Sequence, residues 1–151
     1  MEDTHDFVTA EDAKTPNAEL GSHRAQQTSE SLIVLVAMRL WKPYWFNKRV
    51  RLTVKSDSVA GLSALFKLQS HGDGPSLVAR ELALDFAKST YTPAIVERLP
   101  GTANTIADLL SRLGTASQKG PLPDVLRGVL LRICPVRCVA FWRWFDSPCA
   151  R

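Results

Sequence analysis

Three acidic residues stand in three different local settings, and together they define the chemistry this chain could carry. Glu30 opens an apolar run, in Ser29-Glu30-Ser31-Leu32-Ile33-Val34-Leu35. Asp57 closes an alternating stretch, in Val50-Arg51-Leu52-Thr53-Val54-Lys55-Ser56-Asp57. Asp108 follows a Pro-Gly turn, in Ala107-Asp108-Leu109-Leu110-Ser111-Arg112. A helix start, a strand end and a late helix can converge on one point. Carboxylates brought together that way repel unless cations sit between them, so a divalent-metal site is the sharp expectation. Each acid also has an ordinary explanation. Glu30 suits the dipole in the first turn of a helix. Asp57 can cap the helix that follows it. Asp108 can pair with Arg112 one turn later.

The elements that must position these residues follow from periodicity and punctuation. Residues 1–27 read as an irregular acidic segment, with Phe7-Val8-Thr9 as the end of a strand. Thr28 or Ser29 can cap a helix running to about Trp41, with Pro43 just beyond. This helix is apolar on nearly all sides and should be buried. Val50 to Lys55 alternates like a strand, with Arg51 and Thr53 on a partly covered face. Asp57 to Leu68 reads as a helix. His71-Gly72-Asp73-Gly74 is a turn, and Pro75 suits the first position of an amphipathic helix over 75–89 with Leu77, Val78, Glu81, Leu82, Leu84 and Asp85. Pro93 to Arg98 is a short strand. Ala103 to Leu113 is a helix stopped by Gly114. Gly120-Pro121-Leu122-Pro123 signals a linker, Val125 to Ile133 reads as helical, and Val136 to Phe145 is rich in β-formers. The order implies α/β architecture with parallel strands joined by helical crossovers.

Bulk properties narrow the class. The 151 residues suit one domain, and an apolar content of 45% permits a core. No apolar run approaches a membrane span, so no membrane partner is expected. The leading Met1-Glu2-Asp3-Thr4-His5-Asp6 is unlike a signal peptide. Cys134, Cys138 and Cys149 give an odd, clustered count with no disulfide framework, which favours an intracellular chain, nuclear or cytoplasmic. Residues 1–30 carry 7 acidic against 2 basic side chains, and residues 31–151 carry 17 basic against 8 acidic. A basic body is compatible with a polyanionic partner such as nucleic acid.

In this order, these residues resemble the ribonuclease H domain of long-terminal-repeat retrotransposon reverse transcriptases of the gypsy and copia kind. Gln26-Gln27-Thr28-Ser29-Glu30 with Val34-Leu35-Val36-Ala37-Met38-Arg39-Leu40-Trp41 is similar to the family's first long helix. Val54-Lys55-Ser56-Asp57-Ser58 resembles its fourth strand, and Ala79-Arg80-Glu81-Leu82-Ala83-Leu84 a later helix. Leu99-Pro100-Gly101, Asn104 and Ala107-Asp108-Leu109-Leu110-Ser111-Arg112 resemble its ending. The likeness spans about residues 7–113. It implies an endonuclease acting on the RNA strand of RNA–DNA hybrids, with Mg²⁺ (or Mn²⁺) held by Glu30, Asp57 and Asp108. It also implies an adjacent reverse transcriptase domain as a partner.

The chain departs from that family in one respect. The family uses four acids, the first on a β-hairpin that has no counterpart before Glu30. The expectation is thus an incomplete, N-terminally truncated ribonuclease H-like fold over 28–113, with helices packed on a small mixed sheet. Residues 114–151 would be linker and tail. Hybrid cleavage would be weak or absent. The alternative is a non-catalytic module that binds or tethers nucleic acid. The strand expected at Val50 to Lys55 would have an unpaired edge unless the tail at Val136 to Phe145 filled it. His5, His23 and His71 are expected at the surface. Trp142 and Trp144 suit base stacking or, more simply, packing. Cys134 and Cys138 lack the second pair a zinc site needs. Ser56 and Ser58 have no placed base, which argues against a serine nucleophile.

Overall fold

The computed structural model describes residues 2–3, 22–91, 95–100, 103–107, 124–131, 137 and 141–142. In chain order it contains β1 (Glu2–Asp3), α1 (His23–Leu40), α2 (Lys42–Trp45), β2 (Thr53–Ser56), α3 (Val59–Lys67), α4 (Asp73–Ala87), β3 (Ile95–Arg98), a 3₁₀ turn (Asp124–Leu126) and β4 (Leu130–Leu131). Residues 105–107 are also helical.

The first helix begins earlier than its apolar pattern implies. Ser22 is the N-cap, its Oγ accepting from the Ala25 amide at 3.1 Å. The first two turns, His23 to Glu30, are polar, so hydrophobic periodicity does not reveal them. Residues 23–27 are therefore helical rather than irregular, and Glu30 sits in mid-helix, where the terminal dipole has faded. The helix continues after a break at Trp41 as α2, with Pro43 in its first turn.

β2 and β3 pair in parallel, with Thr53 opposite Ile95 and Ser56 opposite Arg98. The connection between them is the helical pair α3 and α4, as the order of elements implies. Lys55 and Glu97 face each other across the pair at 2.8 Å, both half exposed, and so contribute little. β1 and β4 also pair in parallel. The sheets seen are thus parallel, not mixed, and among the described residues no strand lies on the other edge of β2. Where a helix is expected over Val125 to Ile133, the described residues form the 3₁₀ turn (Asp124–Leu126) and β4 (Leu130–Leu131) instead. Gly128, at φ 77°, supports the turn between them.

The core lies between α1, α3 and α4. Leu35, Leu65, Val78, Leu82 and Trp45 are fully buried there. Trp45 donates from Nε1 to the Met38 carbonyl at 2.8 Å and meets Phe86 and Tyr91 at ring distances of 5.6 and 5.3 Å. Near its start, α4 closes on α1 because Gly74 has no side chain. A Cβ there would stand 2.3 Å from Thr28 Oγ1.

Two carboxylates are also fully buried: Glu81 and Asp85, one turn apart on α4. Arg39 of α1 reaches both, with Nη2 2.6 Å from Glu81 Oε2 and Nε 2.7 Å from Asp85 Oδ2. Its remaining Nη1 donates to the carbonyl of Phe141, and its guanidinium lies 4.6 Å from the centre of the Phe141 ring. Phe141 and the fully buried Trp142 belong to the same core as α1 and α4. Trp142 therefore packs and cannot stack on a base, whereas Trp144 lies outside the described residues. The alternative in which Val136 to Phe145 fills the edge of β2 does not hold at Phe141 and Trp142, which join the helical core. The rest of that segment lies outside the described residues apart from Arg137.

Two outcomes test this packing. Arg39→Ala should destabilise the fold by about 3–5 kcal/mol in urea unfolding, because it takes the guanidinium away from two buried carboxylates. Adding Glu81→Gln and Asp85→Asn should recover part of that loss. Tyr91 makes the second test. Its hydroxyl has no hydrogen-bond partner among the described residues, and burial pushes its pKa above the ordinary tyrosine value. The folded state then holds this proton more tightly than the unfolded chain. Stability from this group is full below about pH 10 and falls as pH rises further. Tyr91→Phe should be neutral or stabilising by up to about 1 kcal/mol at pH 7, and should flatten the alkaline decline.

Candidate functional site

The carboxyl end of β2 opens into a cleft of about 250 Å³. In parallel sheets this is the end where loops leave room for ligands. Its walls come from two segments. α1 contributes His23, Gln26, Gln27 and Glu30, and the turn from β2 into α3 contributes Asp57, Ser58, Val59 and Ala60. Two of the three acids singled out by sequence thus face one cavity. Asp108 lies outside the described residues, just past the helical residues 105–107.

A glycine brings the two walls together. A Cβ at Gly61 would stand 3.0 Å from Val34 Cγ2 and 3.2 Å from the Glu30 carbonyl oxygen. Without it, α3 sits down on α1 and carries Ser58 to Glu30. Ser58 Oγ donates to Glu30 Oε2 at 2.8 Å, while Gln26 Nε2 donates to Glu30 Oε1 at 3.1 Å from one turn earlier. The same Ser58 oxygen accepts from the Gly61 amide at 3.0 Å and is the N-cap of α3. Asp57, expected as a cap, is left exposed at the mouth of the cleft. The Ser58 hydroxyl, with its proton given to a carboxylate and its oxygen engaged by an amide, is poorly placed to act as a nucleophile.

Chemically, the cleft offers two carboxylates together with hydroxyl and amide oxygens. That is a hard, all-oxygen donor set. Mg²⁺ is commonly held by one or two carboxylates while keeping several waters, and Glu30 and Asp57 are the residues here with that donor chemistry. Among the described residues no group of three or more His, Cys, Asp or Glu side chains is arranged to enclose a metal. His23 lies at the rim, exposed as expected, and His71 is exposed as well. His5 and the three cysteines lie outside the described residues.

Sequence reasoning missed Ser58 and Gln26 as partners of Glu30. Gln26 could have been found: it precedes Glu30 by four residues, the spacing of facing side chains, once the helix is extended back to Ser22. Ser58 could not, because its role depends on how α3 meets α1.

The capping assignment separates neighbouring residues. Ser58→Ala should cost about 1 kcal/mol in urea unfolding, through loss of the cap. Asp57→Asn should stay within about 0.5 kcal/mol of the parent, as an exposed residue outside the cap should. Equal losses would refute the assignment. Comparison with protein-family models, with curated proteins and with solved structures finds no match to this chain.

Proposed function

We propose that this chain is a ribonuclease H-like module of a retroelement, with Glu30 and Asp57 as divalent-metal ligands in the cleft. The supporting observation is the joint placement of those two acids: one from α1, one from the carboxyl end of β2, in a cavity between them. The parallel β2–β3 pair joined by α3 and α4 agrees with the same ancestry. Asp108 would complete the ligand set from beyond the helical residues 105–107. A bound Mg²⁺ or Mn²⁺ would activate water and stabilise the leaving oxygen of a phosphodiester. The chain's own part is to hold Glu30 in place through Ser58 and Gln26, and to present Asp57 to solvent and substrate. The substrate class is the RNA strand of an RNA–DNA hybrid, recognised by A-form geometry and the 2′-hydroxyl. Hybrid cleavage is expected to be weak or absent, since no residue of this sequence matches the family's first acid. No helix among the described residues is long and apolar enough to cross a membrane.

Metal binding tests the reading without relying on turnover. Mn²⁺ titration, followed by the paramagnetic broadening of nearby side-chain resonances, should saturate in the parent. Asp57→Asn should weaken binding on the order of tenfold or more. A titration indifferent to both Asp57→Asn and Glu30→Gln would rule the site out. Robust hybrid cleavage lost on Asp57→Asn would confirm the metal site and overturn the expectation of weak activity.

A further inference from the structure

The stretch from Trp41 to Lys55 carries five basic residues and no acidic one. None of it lines the carboxylate cleft. It leaves α2 through a turn that hydrogen bonds hold in shape. Trp45 is buried and anchors the turn through its indole bond to the Met38 carbonyl. The Phe46 amide donates to the Lys42 carbonyl at 2.9 Å, and the Lys48 amide to the Trp45 carbonyl at 3.2 Å. Asn47 makes the left-handed step, at φ 57°, which asparagine tolerates better than most residues. Lys42 stands over the Phe46 ring, its Nζ 4.1 Å from the ring centre.

The side chains this segment gives to solvent are of two kinds. Lys48, Arg49 and Arg51 are exposed, and none forms an ion pair with a described residue. Lys55 differs, because Glu97 faces it at 2.8 Å. Beside these cations, Tyr44 and Val50 are 49% and 37% exposed. A phosphate backbone would use the cations and leave Val50 in water, since an aliphatic side chain has no flat face on which a base can stack. The headgroup layer of an anionic bilayer uses both kinds. Its phosphates and carboxylates attract lysine and arginine, tyrosine suits the boundary between water and hydrocarbon, and valine suits the acyl chains below.

We propose that the segment over residues 42–51 docks on the surface of an anionic lipid bilayer, with Arg49 and Arg51 as the main headgroup contacts and Val50, from the same turn, at the acyl boundary. Charge complementarity selects this occupant: unpaired cations of one sign, held on an ordered turn, meet a surface of the opposite sign. Contact of this kind needs no membrane-spanning segment. It goes beyond the nuclease reading and does not depend on it, because neither the cleft nor its acids take part.

The test is cosedimentation with phosphatidylcholine vesicles, with and without phosphatidylserine, in EDTA and across a salt series. The double variant Arg49→Ala, Arg51→Ala is compared with Lys67→Ala, Lys88→Ala, which removes the same charge from exposed lysines elsewhere. Thermal melts confirm that both stay folded. The parent should bind the phosphatidylserine vesicles, increasingly weakly as salt rises, and should leave the neutral ones unbound. The arginine pair should weaken partitioning roughly tenfold or more, and the lysine pair should change it little. Val50→Ser should weaken it roughly two- to fourfold without altering the salt dependence. Equal binding to both vesicle types, equal losses in the two double variants, or no effect of Val50→Ser would each overturn the proposal. Binding of an RNA–DNA hybrid that the arginine pair abolishes, with vesicles left unbound, would assign the turn to nucleic acid instead. Mn²⁺ titration reads the cleft alone and leaves this result standing.

Discussion

The interaction on which the rest depends is the reach of one guanidinium. Arg39 joins α1 to two carboxylates of α4 and to the backbone at Phe141, all in or next to the core. Arginine suits this position because its planar fork offers several donors in fixed directions. A buried carboxylate pair without such a partner would be untenable in an apolar interface. The arginine and the acids therefore require one another. They fix the rotation of α1 relative to α4 in a way that interchangeable apolar side chains would not.

A second contact fixes the other end. Gly74 lets α4 touch α1 at Thr28, eleven residues before Arg39, or roughly 16 Å along the helix. Held at two points, α1 has little freedom to slide or roll. Glu30 lies two residues past the first of them, so its position is set by packing rather than by the cleft it faces. α3 then meets α1 through Gly61, which brings the end of β2 and Asp57 to the same side. The cleft is a by-product of helix packing decided elsewhere.

Much of this frame was legible in the sequence, and the failures have physical causes. β2 and β3 stand out because short β-rich runs are bounded by turn residues, and α4 because its apolar residues recur at helical spacing. The start of α1 is not legible because its first turns carry mostly polar side chains with no apolar periodicity, and Ser22 is the sole local signal. Asp57 and Ser58 are both good caps, and the choice between them depends on where β2 releases the chain. Glu81 and Asp85 were seen on the apolar face of α4, yet the partner that makes their burial tolerable is 42 and 46 residues away. Nothing local to Arg39 marks it as that partner. The docking of Phe141 and Trp142 was hidden for the same reason, because long-range packing leaves no periodic trace.

Ser58 has a consequence that reaches past geometry. Its hydroxyl gives a proton to Glu30 and takes one from the Gly61 amide, so the two hydrogen bonds share a single oxygen. Such chains polarise cooperatively: a negative carboxylate pulls on the hydroxyl proton and makes the oxygen a better acceptor. The charge on Glu30 is thereby felt at the first turn of α3. Anything that neutralises or redirects that carboxylate, whether a proton or a cation, weakens the helix's grip on its own start. By reciprocity, a frayed α3 makes Glu30 easier to recruit. In the metal-bound state proposed for the cleft, occupancy and the integrity of α3 would be two readings of one equilibrium.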